Sequence, residues 1–355
     1  MATSHRQLID QTTRHAVYLE RYKSSAIKEY NSLLKKMRKA IISELDGEIT
    51  EWSRTRLEKQ LVAIRRLMRE MSAPIEEVIR SQISELSIYE SGFETRSLNS
   101  VGVNYDFDLP SEKQLLAAVN TTPLNVAGPY QGSLLDSLIK DWTPRNIDRV
   151  NRAIRFGFAQ GKTTGSLVRD MSAVDGAFSA SQKDLYNVVR TGLAHTANVS
   201  REATWRANSD IVKKYKISAT IDTKTTSTCR SLDGKEYPLN KGPMPPFHIN
   251  CRTTTVAALD DRFKVLGEGG TRSARDPETG EVISIPANET YYSFLKRQPA
   301  SVQDSIIGPT RGKLMRNGGL SSDRFAELQI GKRFEPLTLG EMRKLEPIAF
   351  KKAGL

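Results

Sequence analysis

Cysteine is nearly absent from this chain. Two residues in 355, Cys229 and Cys251, cannot form the disulfide framework of a small secreted scaffold. Histidine is scarce as well, with four residues. No apolar run approaches the roughly 20 residues that cross a bilayer, and the opening MATSHRQLIDQTTRH lacks the apolar core of a secretory signal. These absences predict a soluble chain made in a reducing cytoplasm. Aromatics at 7% and hydrophobics at 38% are lean for this length, which predicts an elongated, mainly helical protein with a modest core. Several catalytic motifs are missing too. Gly308–Lys313 has the wrong spacing for a phosphate loop. Gly267-Glu-Gly269-Gly270 follows no strand signal, and neither Ser227 nor Ser231 has an elbow or a base partner.

Positive charge is abundant. The net charge is +12 with a sequence pI near 9.6, which makes a polyanion the natural electrostatic partner. The basic residues are spread over three groups: Lys35, Lys36, Arg38 and Lys39; Arg145, Arg149, Arg152 and Arg155; Arg343, Lys344, Lys351 and Lys352. Charge spread in this way suits general affinity for DNA or for an acidic protein, or a merely solvated exterior, rather than base reading.

Apolar spacing predicts helices over residues 1–97. Ile27, Tyr30, Leu34, Met37 and Ile41 form one seam, which Asp46-Gly47 ends. Leu57, Leu61, Ile64, Met68 and Met71 form a second, which Pro74 breaks. Ile75, Val78, Ile79, Ile83 and Leu86 then begin a third helix. Residues 98–130 read as a connector, with looseness from residue 91 onward. Helical periodicity returns over 134–171, is punctuated at Gly161–Gly165, and continues in a long helix over 181–207. Strand signals occur at 215–221, 236–239 and 253–256 only. A linker over 261–285 precedes a helical C-terminal extension, 286–355. The expected class is mainly α with a small β-knuckle (α+β).

The densest stretch is 219–256, ATIDTKTTSTCRSLDGKEYPLNKGPMPPFHINCRTTTV. It holds both cysteines and His248. Asp233-Gly234 predicts a tight turn, and Pro243, Pro245 and Pro246 stiffen the return. Arg190-Thr191 in the long helix, Asp222, Cys229, Leu232-Asp233-Gly234-Lys235 and Pro245-Pro246-x-His248-x-Asn250-Cys251-Arg252 stand in an order that resembles the Mu F-like minor head proteins of tailed bacteriophages. The resemblance centres on a domain at about 131–260.

That resemblance implies a virion protein of head morphogenesis, in the head interior or near the portal, present in the host cytoplasm during assembly. Portal or major capsid protein would be its partner, packaged double-stranded DNA a further contact, and self-association through helices is open to it. It implies no catalysis. The sequence departs from the family pattern at two positions: Thr226 stands where the family has the first cysteine of Cys-x-x-Cys, and Thr253 where it has the last of Cys-Arg-Cys. A structural zinc ion takes four ligands. Here Cys229, His248 and Cys251 are candidates, with Asp222 as a fourth. A packed thiol pair and a late Cys229–Cys251 disulfide are the other readings. Arg190, Asp222 and Arg252 are candidates for a charge-assisted network that fixes the knuckle to the long helix. Two rival functions stand beside the head protein: a DNA-binding ejection protein, and a metal-dependent nuclease built on His248-x-Asn250, which would need a second histidine or a carboxylate pair.

Overall fold

The computed structural model describes residues 4–45, 54–100, 105–259 and 270–355. Asp46-Gly47 lies outside them.

Helix α1 (Ser4–Leu45) and helix α2 (Arg54–Asn99) form a hairpin. Their cross-links give its sense: Gln11 meets Ser100, His15 meets Glu90, Tyr30 meets Gln82, and Gln60 meets the Glu44 carbonyl. One set of numbers rises as the other falls, so the helices are antiparallel. The two seams read from sequence face each other, with Tyr30, Met37, Ile41, Leu57, Leu61, Ile64 and Met68 all buried.

Pro74 does not break the second helix, because α2 runs straight through it. An interior proline costs about 3 kcal/mol. Beyond it Ile75, Ile79, Ile83 and Leu86 continue the buried face into the same core, and each gains about 1.5–3 kcal/mol by burial. The packing on both sides of the proline outweighs its local cost. The stretch from residue 91 is likewise more ordered than its composition suggests. Residues 91–99 are the end of α2, and α3 (Glu112–Thr121) follows, its N-terminus closed by a reciprocal Ser111–Gln114 capping box.

Helices α4 (Leu135–Lys140), α5 (Trp142–Ala159) and α6 (Thr164–Ser172) lead to α7 (Ala177–Ala207). The punctuation at Gly161 holds: its φ is +64° and Thr163 caps α6. From Thr191 to Thr204 nearly every α7 side chain is buried, so α7 is a central strut rather than a one-sided surface helix.

The knuckle is a three-stranded antiparallel sheet, ordered β2-β1-β3: β1 (Val212–Ser218), β2 (Glu236–Pro238) and β3 (Thr254–Leu259), with helix α8 (Ser227–Leu232) between β1 and β2. The first strand ends before Ala219 because the Ala219 N–H donates to the Asp233 carboxylate instead of a neighbouring strand. The third runs on to Leu259, paired with β1 in continuous register from Lys214 to Ser218 and then, past a bulge at Lys213, with Val212 opposite Leu259. Within the expected linker lies a second sheet, the hairpin β4 (Thr271–Arg275) and β5 (Val282–Pro286). Its strands, TRSAR and VISIP, are five residues each, too short for a period of two to stand out within a Gly/Arg/Pro-rich stretch. Helices α9 (Tyr291–Lys296), α10 (Ala300–Ile307), α11 (Pro309–Asn317), α12 (Ser322–Glu327), α13 (Leu339–Leu345) and α14 (Pro347–Lys352) pack on this hairpin around Tyr291, Tyr292, Phe325 and Phe350.

Candidate functional site

Three side chains converge beneath the knuckle. Thr226 caps α8 by accepting from the Cys229 N–H, which orients Cys229 inward. The return after Pro246 brings in His248 and Cys251. The Pro245–Pro246 bond is cis, and Asn250 takes φ +60°, donating its backbone N–H to Thr191 Oγ1 and its amide to Asn187 Oδ1. Helix α7 therefore holds the loop that presents the ligands. The ligand atoms of Cys229, His248 and Cys251 all lie within 4.8 Å of one another. Cys229 Sγ is 3.2 Å from His248 Nε2 and 3.7 Å from Cys251 Sγ. At 3.7 Å the sulfurs are not bonded, and both cysteines are free.

The imidazole is oriented by its own loop. His248 Nδ1–H donates to the Ile249 carbonyl at 2.9 Å, which turns Nε2 toward the sulfurs, as an acceptor when neutral and as a donor when charged. The thiols share a proton unequally. The neighbouring Cys251 sulfur, then burial, push the Cys229 thiol up. Burial alone would also raise Cys251, but the Cys229 S–H and the His248 ring outweigh it and hold Cys251 well down. Burial would lower His248, and the Cys251 thiolate more than offsets that, so the imidazole is shifted up.

The donor set suits a thiophilic ion. Tetrahedral zinc with Zn–S near 2.3 Å separates its sulfurs by about 3.8 Å, close to the observed 3.7 Å. Two sulfurs and one nitrogen supply three corners. Asp222 is not the fourth. Its carboxylate is taken by Arg252, Thr225 and the Lys224 N–H, and it stands outside the converging group. Thr226 is spent on capping α8, and water is left to complete a tetrahedron.

The charged network divides differently from the expected trio. Asp222 and Arg252 form a two-pronged pair, 2.5 and 2.9 Å. Arg190 instead reaches α1, where it meets Glu20 and Ser24. Glu20 also faces Arg252 across a cleft, α1 packs directly on β3 and β4, and no Arg190–Asp222 bond forms among the described residues. Asp233 does more than make a turn. Gly234 does have φ +82°, and a Cβ there would come 2.6 Å from Thr290 Cγ2. The buried Asp233 carboxylate also accepts from Ala219 N–H, from Tyr291 N–H and from two nitrogens of Arg272, at 2.8–3.0 Å. Arg272, on β4, went unnoticed in the sequence, since a lone arginine in a Gly/Arg/Pro-rich stretch carries no local signal.

His195 and His15 stay apart from this group. His195 is buried on α7 with Nε2 on the Val119 carbonyl, and burial lowers its pKa to about 4. His15 pairs with Glu90. That pair belongs to a buried cluster in which Arg201 of α7 also grips Glu90, and Trp205 donates to Glu94. Neither histidine joins His248.

Residues 148–256 match the family model described as phage Mu protein F like protein. The centre of this chain is Mu F-like. The matched segment runs from within α5 through α7 and the knuckle, and so includes every residue of the Cys229–His248–Cys251 group. An NAD(+)--arginine ADP-ribosyltransferase, EFV, of Enterococcus faecalis (strain ATCC 700802 / V583) is 25% identical over 193 residues, which cover 50% of this chain and 37% of that protein. The chain thus spans little more than a third of the length of this curated relative. No solved structure matches. Among the described residues no helix is long and apolar enough to cross a membrane.

Proposed function

We propose that the protein is a minor head protein of a tailed phage, incorporated during head assembly by contact with portal or capsid subunits. The Mu F-like match over 148–256 carries this reading. The geometry supports a non-catalytic role. The Asp222, Asp233, Glu90 and Arg201 groups are each engaged by other side chains of the same chain, and among the described residues no further histidine or carboxylate joins the Cys229–His248–Cys251 group to act as the general base that water activation on a metal needs. Mass spectrometry and density mapping of purified heads test it. A few copies at the portal vertex or inner shell are expected, and absence from heads would overturn the reading.

The relative's name raises ADP-ribosyl transfer as a second reading. Incubation with labelled NAD(+) and an arginine-rich acceptor separates the two. No label transfer is expected, and transfer above a boiled control would make the chain an enzyme. Incubation of plasmid with divalent metal addresses the nuclease reading in the same way, and cleavage lost in His248→Ala would favour it. Ejection with the genome is distinguished by finding the chain in the target cell after infection rather than in the emptied head.

Zinc is proposed for the knuckle on its donor set alone. Cys229, His248 and Cys251 would hold the ion, and its contribution would be to pin α8 to the proline return.

A further inference from the structure

A cleft of about 340 Å³ runs between α1, α5 and the start of α7. Leu34, Met37, Ile41, Val150 and Phe178 give it apolar walls. Among them lies Asn146 of α5, only 2% exposed. Its amide nitrogen donates to Met37 Sδ at 3.7 Å, a weak acceptor, and its amide oxygen has no partner. Turning the amide over would set oxygen against sulfur and leave the nitrogen without an acceptor, so the oxygen is the free atom. Buried amide oxygens normally accept a hydrogen bond. This one therefore marks where an N–H or O–H group of a ligand is received.

Other uncharged polar groups of the cleft are engaged. Ser179 and Ser181 donate to the Ala173 and Ala177 carbonyls, and Gln182 and Tyr186 both donate to Asn31. The charge, by contrast, is unbalanced. Lys35 and Arg38 are exposed on the α1 side, and neither has an ion-pair or hydrogen-bond partner among the described residues. Arg38 lies over the Phe178 ring, 5.4 Å from its centroid, which covers the flat face of the guanidinium and leaves its N–H edge open. No carboxylate lines the cleft. Asn31 and Ile41, at its two ends on α1, lie ten positions apart, about 15 Å along the helix. That is the length of about four extended residues.

We propose that this cleft binds the free C-terminus of a protein partner whose last residue is apolar. Lys35 and Arg38 take the terminal carboxylate, the N–H of the last peptide bond donates to Asn146 Oδ1, and the last side chain packs on Met37, Ile41 and Val150. Each feature of the cleft disfavours another class of ligand. A free amino acid would bring an ammonium group beside two unpaired cations. A fatty acid has no N–H for the Asn146 oxygen. A phosphate backbone offers neither that donor nor an apolar group for the walls. The inference does not rest on the head-protein reading.

The test uses the full chain and a short Gly/Ser peptide, labelled with fluorescein at its N-terminus and ending in leucine with a free carboxylate, followed by anisotropy. Wild type should bind it. Capping the carboxylate as an amide should cost about 10- to 50-fold in affinity, and alanine in place of the last leucine about 10-fold. Methylating the last peptide nitrogen removes the donor to Asn146 and should cost about 5- to 20-fold with wild-type protein. Asn146→Leu, of similar volume, should weaken binding of the unmodified peptide by a similar factor and bind the methylated peptide no worse than wild type does. Lys35→Gln/Arg38→Gln should lose as much as the amide peptide does. Lys351→Gln/Lys352→Gln removes the same charge from the exposed face of α14 and should stay within about threefold of wild type. Absence of wild-type binding, equal affinity for the acid and the amide, or equal losses in the two double variants would overturn the site. Decanoate displacing the probe more effectively than unlabelled peptide would overturn it in favour of a fatty acid. Presence of the chain in heads together with absent peptide binding would refute this proposal alone, and the reverse pair of results would refute the head-protein reading alone.

Discussion

Arg252 holds Asp222 with both terminal nitrogens, Nη1 on Oδ2 at 2.5 Å and Nη2 on Oδ1 at 2.9 Å. The pair sits where the end of β1 passes the proline return, with the carboxylate 7% and the guanidinium 26% exposed. Burial alone would raise the Asp222 carboxyl. The Arg252 pair, the Thr225 hydroxyl and the Lys224 N–H outweigh it and hold the group below its ordinary value.

A folded-state pKa below the unfolded one, about 3.9, contributes stability that is present above that value and is lost as pH falls through the lower one. Asp222→Asn should therefore cost about 1–3 kcal/mol at pH 7 and less at pH 3. Chemical denaturation at both pH values checks this, and an equal cost at both would mean that shape rather than charge holds the junction.

Glu94 gives the opposite slope. Burial raises its pKa to about 7, against the pull of Arg201 and Trp205 and with a further push from Glu90, and its Oε2 has no partner. The folded chain keeps a proton here that the unfolded chain releases near pH 4.3. This contribution is present below pH 4.3 and is lost as pH rises to about 7, at up to about 1.4 kcal/mol per unit. Glu94→Gln keeps the acceptor for Trp205 and removes the ionisation. Its melting temperature should match wild type near pH 5 and exceed it by several degrees at pH 8. No difference at pH 8 would show that the carboxyl ionises at little cost in place.

Arg272 is the position where sequence reasoning was weakest and the consequence is large. It is 5% exposed and joins the Asp233 carboxylate, Ser218 Oγ and the Ala219 and Glu289 carbonyls. Arg272→Met leaves a buried carboxylate without its cation, which costs about 3–5 kcal/mol. Arg272→Met/Asp233→Asn should recover part of that loss, and a double variant no better than the single would mean that the guanidinium serves the carbonyls rather than the carboxylate.

What was legible followed from how local the cause is. The seams of α1 and α2, the break at Gly161–Gly165 and the Gly234 turn are set by residues within one or two helical turns, and all appear in the chain as written. The convergence of Cys229, His248 and Cys251 followed from their crowding into one short window. Partner choice was not legible. Arg190 binds Glu20, 170 residues away, because α1 folds back along α7, and nothing near Arg190 encodes that. The β4–β5 hairpin escaped because its specifying interaction, Arg272 with Asp233, spans 39 residues.

Pro74 shows tertiary packing overriding a local rule, and the cost it leaves behind is measurable. Its position is exposed and inside α2, so Pro74→Ala restores a backbone donor without disturbing the core. The gain should be about 1–2 kcal/mol, the roughly 3 kcal/mol helix-interior penalty less the unfolded-state restriction that proline provides. A loss of stability instead would mean that the helix needs a bend at this point in order to follow α1.

The converging thiols and imidazole predict a metal dependence that departs from a four-cysteine site. With three protein ligands and one water, zinc should bind one per chain and be removed by a modest excess of chelator, because the fourth corner is open to a competing ligand. Elemental analysis of protein purified without chelator should give close to one equivalent, falling below about a tenth in Cys251→Ser. Binding should weaken as pH falls through the range where His248 and the thiols take up protons. Thr226→Cys would add a third sulfur, and a fourth protein ligand, only by giving up the hydroxyl cap of α8, a trade of roughly 1 kcal/mol against a closed coordination shell. Tighter retention of zinc in that variant would show that the threonine keeps the site open. A metal content below a tenth of an equivalent in wild type leaves Cys229 and Cys251 as a buried hydrogen-bonded pair.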